Sequence, residues 1–511
     1  MVYDLIIIGA GVIGGAAARE LSRYNLSILS LEKEEDVCCG ISKGNTGIIH
    51  TPALVHENTK KAEYTVRANH RWEKISSELG FEFQRTGALI LGFSEEDRIT
   101  LEKYKETGEK NQKTFSDDSR PPVQYRIIEG AELFTKEPGL NPEVKLALHT
   151  PDAGRVMPYE YGTALWENAV ANGVELKLEC QVASLKREKN IPEETESTQN
   201  LLVTDSVWEV KTSKGAFLSR YIINAAGHGS VELGKSAGFP EHSVEKVKGQ
   251  YIILDRKKSP KINNILFQAP AKGKSKLGKG ILVTNTVYGN LLIGPDARWI
   301  EKDENAETDI ESIREILSGA EKSCRSIESK YAIKTFAGIR PKPKGGDFII
   351  EMKDGFINLC GIESPGLTSS PAIADEIIQM LKDEGLLLSK KPDFNPIRKP
   401  IVKSLLNLDM KEVIRRSELP DSDLKKLICR CEQVPLKRIM DGIERGIPVT
   451  TIDGVRRRTR AGQGSCQGGF CGDHIRPILS EKSGIPVEEM KSREEARAYP
   501  RITPADIRKI L

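Results

Sequence analysis

Tyr3-Asp4-Leu5-Ile6-Ile7-Ile8-Gly9-Ala10-Gly11-Val12-Ile13-Gly14 decides the fold of this chain. Residues 3–8 form a short apolar run, the pattern of a parallel strand buried on both faces. Gly9, Gly11 and Gly14 follow at G-x-G-x-x-G spacing. Helix-forming residues continue from about Val12 to Arg23, and a second apolar strand, Leu26 to Leu31, ends in Glu32. Gly9 permits a tight turn, Gly11 lets backbone approach a pyrophosphate, and Gly14 lets helix pack on strand. The helix N-terminus faces the phosphates, and Glu32 can bind ribose hydroxyls. The glycine spacing alone is weak. Strand, helix, second strand and acid in this order predict a Rossmann-like dinucleotide site. The acid favours an unphosphorylated ribose, hence FAD or NAD over NADP.

Two later turns favour FAD. Arg220-Tyr-Ile-Ile-Asn224-Ala-Ala-Gly227 reads as a strand ending in small residues that let backbone pass close to a large cofactor. Phe356-Ile-Asn-Leu-Cys360-Gly361-Ile-Glu-Ser364-Pro365-Gly366-Leu-Thr368 reads as a strand, a glycine-rich turn and a helix from about Ser369. A helix N-terminus there can stabilise negative charge on a reduced flavin.

The other end of the chain carries Cys429 and Cys431, then, 34 residues later, Cys466 and Cys471. Four thiolates without histidine suit a structural zinc or an iron–sulfur cluster. A redox nucleotide at the opposite end favours the cluster and electron transfer. Cys38, Cys39, Cys180, Cys324 and Cys360 are scattered and read as packing thiols in a reducing cytosol. A basic run, Arg456, Arg457, Arg458 and Arg460, adjoins the cluster cysteines as a solvated face or a docking patch for an acidic partner.

A chain of 511 residues is too long for one core. A net charge of +3 argues for neither nucleic acid nor membrane. No apolar run approaches the ~20 residues that span a bilayer, and the N-terminal apolar run is a strand, not a signal peptide. A cytoplasmic protein without a transmembrane segment is expected.

Residues 1–385 resemble the FAD-dependent oxidoreductases that include D-amino-acid oxidase, and within them the anaerobic glycerol-3-phosphate dehydrogenase A-subunit type and L-2-hydroxyglutarate oxidases. The matching stretches are Ser42-Lys-Gly-Asn45-Thr46-Gly47-Ile-Ile-His50, Asp152-Ala-Gly154-Arg-Val-Met-Pro158-Tyr159, Lys248-Gly-Gln-Tyr251, Tyr288-Gly-Asn290-Leu-Leu-Ile-Gly294-Pro295, Gly338-Ile-Arg340 and Gly361 to Ala374. Ile428-Cys-Arg-Cys431-Glu, Thr459-Arg-Ala-Gly462 and Cys466-Gln-Gly-Gly-Phe-Cys471 resemble the [2Fe–2S] domain of bacterioferritin-associated ferredoxin as appended to that A-subunit type. The second cysteine pair is spaced by four residues rather than the stand-alone ferredoxin's two.

The resemblance implies an α/β fold: a Rossmann-like FAD-binding domain built from 1–80, 150–245 and 330–385, and a β-rich substrate domain from 81–149 and 246–329. Residues 386–424 are expected as a linker, 425–480 as a small α-helical [2Fe–2S] domain, and 481–511 as a tail with helical periodicity in Val487 to Arg497 and Pro504 to Leu511. Arg187 to Asn200 reads as a hairpin tip. FAD would be held by Gly9, Gly11, Gly14, Glu32, Ser42, Asn45, Thr46, Gly47, Val182, Ala226, Gly227, Gly338, Arg340, Gly361, Ser364, Gly366, Leu367 and Thr368. Cys429, Cys431, Cys466 and Cys471 would hold the cluster. His50 is the candidate base, because imidazole titrates near neutral pH. It is followed by Thr51-Pro52-Ala53 where the family has a small residue and glycine. Arg340, just after a strand-like Lys334-Thr-Phe-Ala, would hold the anionic end of a small substrate. Lys342 and Lys344 could add charge for a phosphate, but the expectation is that they are solvated. His56, His70, His149, His228, His242 and His474 show no partner pattern.

The expected activity is oxidation of glycerol 3-phosphate, with electrons leaving through the cluster to a flavoprotein or quinone-linked redox subunit, itself a route to the inner membrane. The alternatives are another 2-hydroxy acid such as L-2-hydroxyglutarate, a secondary amino acid such as proline or sarcosine, or a non-catalytic electron-transfer subunit.

Overall fold

A computed structural model describes residues 1–117, 121–188, 206–270, 280–301, 306–490, 502 and 504–508. The opening apolar run is the strand Val2–Ile8. It lies parallel between Ile28–Leu31 and Gly215–Asn224, with Glu175–Lys177 beyond the former and Phe356–Cys360 against the end of the latter. Antiparallel strands Val182–Glu188, Val207–Thr212 and Ile349–Lys353 complete this eight-stranded sheet among the described residues. Its centre is fully buried because helices cover it: Val12–Leu21, Pro158–Ala171 and Gly366–Asp383 pack Ala17, Trp166 and Ile373 against Leu5, Ile7 and Ile223. The first helix ends at Leu21, two residues before the sequence reading. The helix after Cys360 begins at Gly366, three residues ahead of the expected start at Ser369.

A second sheet, nine-stranded among the described residues, carries Ala88–Gly92, Val244–Leu254 and Ile265–Gln268. Val244–Leu254 pairs along its whole length with Ala332–Pro343. The latter strand corrects the expectation that 330–385 belongs wholly to the nucleotide-binding part. Apolar alternation alone gave no sign of which sheet would claim it. The tip of the hairpin expected at Arg187 to Asn200 lies outside the described residues beyond Glu188, but the flanking strands pair antiparallel.

Residues 386–424 are not a free spacer. Asn25 N donates to Ser389 O at 2.8 Å, and Arg398 Nε donates to Glu167 Oε2 at 2.7 Å. The stretch also contains the helix Met410–Glu418. The C-terminal module has its own core of Ile428, Val434, Ile439, Val455, Ile475 and Leu479. That core sits under a small hairpin, Leu427–Cys429 with Val434–Pro435, and the helices Leu436–Ile443, Ile452–Thr459 and Gly472–Ser483. In the tail, Val487–Glu489 is a single 3-10 turn, and the rest of the expected helix to Arg497 lies outside the described residues from 491 onward. The helix Pro504–Arg508 folds back, and its Ile507 is fully buried in the core of the second sheet. No helix among the described residues is long and apolar enough to cross a membrane.

Candidate active site and cluster module

A cavity of about 2030 Å³ takes its walls from both sheets. At its nucleotide end, Gly9 adopts φ +103°, and a Cβ there would come 2.5 Å from the Ala225 carbonyl oxygen. Neighbouring strands close on this turn, with Gly9 N donating to Leu31 O at 2.8 Å and Ala225 N to Ile8 O at 2.9 Å. Glu32 accepts from Ala10 N at 2.7 Å and Glu34 N at 3.0 Å, and burial pushes its carboxyl above the usual range. Val12 N, the first helical amide, donates to Ser42 Oγ at 3.0 Å. The loop after the second strand therefore already reaches the positive end of the helix. Asn45 shapes that loop, donating to Ser42 O at 2.7 Å and accepting from Gly47 N at 2.8 Å.

Gly9, Gly11, Glu32, Ser42, Asn45, Thr46, His50, Val182, Ala226, Gly227, Gly338, Arg340, Ser364, Gly366 and Leu367 all line the cavity. Gly14, Gly47, Gly361 and Thr368 stand behind the wall. A Cβ on Gly14 would run into Gly9 O, one on Gly47 into Val156 O, and one on Gly361 into the Pro343 ring. These glycines bring chain segments together rather than facing the cavity. Gly338 belongs to both groups, since a Cβ on it would run into Gly44 O.

His50 follows the two-residue strand Ile48–Ile49 and is tied from three sides. Its Nε2 lies 3.0 Å from Ser364 Oγ, its N donates to Thr368 Oγ1 at 2.9 Å, and its carbonyl accepts from Asn69 Nδ2 at 2.8 Å. Thr51-Pro52-Ala53 opens a 3-10 turn, Pro52–Leu54, which Asn111 holds by donating to Pro52 O at 3.0 Å and Val55 O at 2.9 Å. Arg340 lies inside the strand Ala332–Pro343, opposite Val247, and not after a strand as expected. Its Nε is buried and has no hydrogen-bond partner among the described residues. Nearby Tyr251 has its phenol pushed up to about 12 by burial. Lys342, expected in solvent, lines the cavity with its ammonium 5.0 Å from the Trp299 ring centre.

Sequence reasoning missed His56, His228 and the Lys61–Glu363 pair, 2.8 Å apart, all on the cavity wall. His228 Nε2 lies 3.1 Å from Ile339 O, and burial lowers its pKa. Only contacts distant in sequence assemble these groups, so no local signal marked them. His228, one residue past the quoted Gly227, was the nearest to being found.

The four clustered cysteines lie two and two. Cys431 Sγ and Cys466 Sγ are 3.6 Å apart. Cys429 and Cys471 form the other pair, and the hydrogen bond from Cys471 lowers the Cys429 thiol. Two thiolates on one tetrahedral metal, each bonded at about 2.3 Å, stand about 3.8 Å apart. The Cys431–Cys466 spacing therefore fits two thiolate ligands of one metal. No three candidate ligands among the described residues converge on a single ion position.

The arginine run is neither a solvated face nor a partner patch. Arg457 and Arg458 donate to Asp36 at 2.6–2.7 Å, and Asp36 is 1% exposed. Arg460 Nε donates to Glu432 Oε2 at 3.0 Å, with its guanidinium 3.8 Å from the Tyr288 ring centre. Asp36 follows Glu32 on the loop beside the nucleotide end, so the module is clamped to the nucleotide-binding segment. Glu167 makes a second clamp, accepting from Arg398 at 2.7 Å and Arg445 at 2.6 Å. Cys38 and Cys39 are packing thiols, buried at 1% and 5% exposure, though Cys39 Sγ also lies 3.5 Å from Arg457 Nη2.

Residues 4–380 match the family described as FAD dependent oxidoreductase, and residues 427–481 match the BFD-like [2Fe-2S] binding domain. A protein named glycerol 3-phosphate dehydrogenase, from Caloramator mitchellensis, is 35% identical over 96% of this chain and 97% of its own length. A glycerol 3-phosphate oxidase from Mycoplasma genitalium is 32% identical over 77% of this chain and 97% of its own. The L-alpha-glycerophosphate oxidase of Mycoplasma pneumoniae, solved with FAD bound, superposes with TM-score 0.69 at 28% identity, covering 79% of this chain and 100% of that one. The chain belongs to the FAD dependent oxidoreductase family and is a flavoprotein oxidoreductase whose cofactors are FAD and a [2Fe–2S] cluster.

Proposed function

We propose that this protein is a dehydrogenase that oxidises glycerol 3-phosphate to dihydroxyacetone phosphate and delivers the electrons to a protein partner. FAD, when bound, supplies a two-electron acceptor and the [2Fe–2S] cluster a one-electron carrier. The observation that carries the substrate class is Arg340, whose buried Nε has no hydrogen-bond partner among the described residues and whose side chain shares a cavity with His50. An anionic group received there satisfies an otherwise costly buried donor, and the planar fork suits phosphate in bidentate fashion. His50 takes the hydroxyl proton, and Ser364 Oγ, 3.0 Å from Nε2, fixes the ring's orientation. The N-terminus of helix Gly366–Asp383 faces the same cavity and favours developing negative charge. Gly9, Gly11, Glu32, Ser42 and Gly227 hold the nucleotide, and the four clustered cysteines hold the iron.

The acceptor follows from the module. The oxidase-named relative aligns with 77% of this chain, while the dehydrogenase-named relative aligns with 96%. A one-electron carrier is superfluous where oxygen takes electrons directly. Cys466 is exposed and Cys431 half-exposed, which leaves an exit toward a docked protein. The protein works in the cytoplasm, with any membrane association supplied by that partner.

Anaerobic titration of the purified holoenzyme tests this reading. Glycerol 3-phosphate should bleach the flavin band, with completion at about 1.5 equivalents per FAD because the cluster takes a third electron, while L-2-hydroxyglutarate, L-proline and sarcosine leave it unchanged. Bleaching by one of the latter would reassign the substrate, and bleaching by none would make the chain an electron-transfer subunit. Cys466→Ser should keep flavin reduction by substrate and lose turnover with the partner.

A further inference from the structure

We infer that the turn Asp255–Arg256, which belongs to the second sheet and not to the cluster module, completes the cluster's setting and tunes its reduction potential, with Arg256 holding it up and Asp255 holding it down. This inference rests on the assignment of Cys429, Cys431, Cys466 and Cys471 as cluster ligands. Cys429 and Cys471 are buried in the module's own core. Cys431 and Cys466 are the outward pair, and the loops that carry them are tied to two consecutive residues of another domain. Arg256 Nη2 donates to Cys431 O at 3.0 Å, and Arg256 Nη1 to Glu432 Oε2 at 3.3 Å. Ser465 Oγ, next to Cys466, donates to Asp255 Oδ2 at 2.5 Å. Asp255 and Arg256 directly follow Val244–Leu254, which lines the cavity at Val247 and Tyr251 and pairs with the strand carrying Arg340. A single strand therefore joins the substrate cavity to the cluster.

The charge of Arg256 favours the reduced state. Glu432 is 4% exposed and is shared by the guanidiniums of Arg256 and Arg460. Two cations face this one carboxylate beside Cys431, while Asp255 places a second carboxylate beside Cys466. Reduction adds one negative charge to the cluster, and net charge, hydrogen bonding and solvent exposure set cluster potentials. Removing Arg256 deletes a cation and leaves Glu432 less compensated. This single change of charge lowers the potential.

Redox titration of the intact holoenzyme, followed by the cluster's electron paramagnetic resonance and without substrate, tests this. Arg256→Ala should change the oxidised-to-reduced ratio at fixed potential about tenfold toward oxidised, a fall of 59 mV for one electron. The FAD midpoint should stay put. Arg256→Lys should recover part of the shift. Asp255→Asn should move the midpoint the opposite way, because it removes an anion yet still accepts from Ser465. A merely structural tether would not give neighbouring residues shifts of opposite sign. An unchanged or raised midpoint in Arg256→Ala, with full cluster content, overturns the inference alone. If that variant loses its cluster, Arg256→Lys and Asp255→Asn decide, and shifts of the same sign or none overturn it. A wild-type protein without a [2Fe–2S] signal overturns the cysteine assignment first.

Discussion

The glycine turn at residues 9–14 and the arginine run at residues 456–460 are both short and both conspicuous in the sequence, yet only the first could be read there. A glycine turn carries its reason within itself. Gly9 takes φ +103° within its own turn, and the distant Ala225 only adds a second reason for glycine there. An arginine's role depends on what it meets. Arg457 and Arg458 meet Asp36, more than 400 positions away, and become an internal clamp instead of a patch for a partner. Backbone constraints are local and legible; side-chain charge has no meaning until the fold supplies its counter-charge.

The comparison breaks first, if it breaks, at Gly9. Gly9→Ala should abolish FAD binding, since the added methyl meets backbone at 2.5 Å and the positive φ is strained for alanine. The flavin-to-protein absorbance ratio reads this directly. Full FAD occupancy in the variant would show that the turn has slack.

Asp36→Ala is the counterpart at the other region. It leaves two buried guanidiniums, at 8% and 5% exposure, without their shared carboxylate. Removing one partner of a buried ion pair costs about 3–5 kcal/mol. The module should loosen while FAD stays bound. Amide hydrogen exchange in residues 452–459 should accelerate by that free energy, and flavin reduction by substrate should persist while cluster-dependent turnover falls. Unchanged protection in 452–459 would return the arginine run to the surface role read from sequence.

Arg340 stands between the two cases. Its motif, Gly338-Ile-Arg340, was visible in the sequence, but its strand and sheet were not, because pairing with Val244–Leu254 is a long-range choice. The same division runs through the cavity. The quoted motifs supplied His50, Ser42, Asn45 and Ser364, while His56, His228 and Lys61 reached the wall through tertiary packing alone. The BFD-like module was legible in the sequence, and its docking through Asp36, Glu167 and Arg256 was not, since each of those partners is an ordinary charged residue in sequence. Arg340→Ala should raise the apparent KM for substrate by the equivalent of about 2–4 kcal/mol, through loss of a charge-assisted bidentate contact. Arg340→Lys should recover only part, as a point charge cannot reproduce the fork. Steady-state kinetics with the two variants separates anion binding from a structural role, and an unchanged KM in Arg340→Ala would move the anion site elsewhere in the cavity.

The smallest effect concerns acidity at the clamp. Burial alone would raise the Asp36 carboxyl, but Arg458 and Arg457 outweigh it and hold it down at about 2. An unfolded aspartate titrates near about 3.9. A folded pKa below the unfolded one stabilises the docked form above that unfolded value, and the contribution disappears as pH falls toward the folded one. Its size is about 2–3 kcal/mol, present in full at neutral pH, and all of the loss falls below about pH 5. Between pH 8 and pH 6 the clamp should therefore show no pH dependence. Buried Glu32 and Glu160 have raised pKa values and titrate in the opposite sense, so total stability would mix the signs. The difference between wild type and Asp36→Asn removes them. After correction for intrinsic exchange, that difference in protection of residues 452–459 should be flat from pH 8 to about pH 5 and shrink toward pH 3. A difference that changes between pH 8 and pH 6 would mean that some other titrating group, and not the Asp36 carboxylate, governs how the module sits on the nucleotide-binding segment.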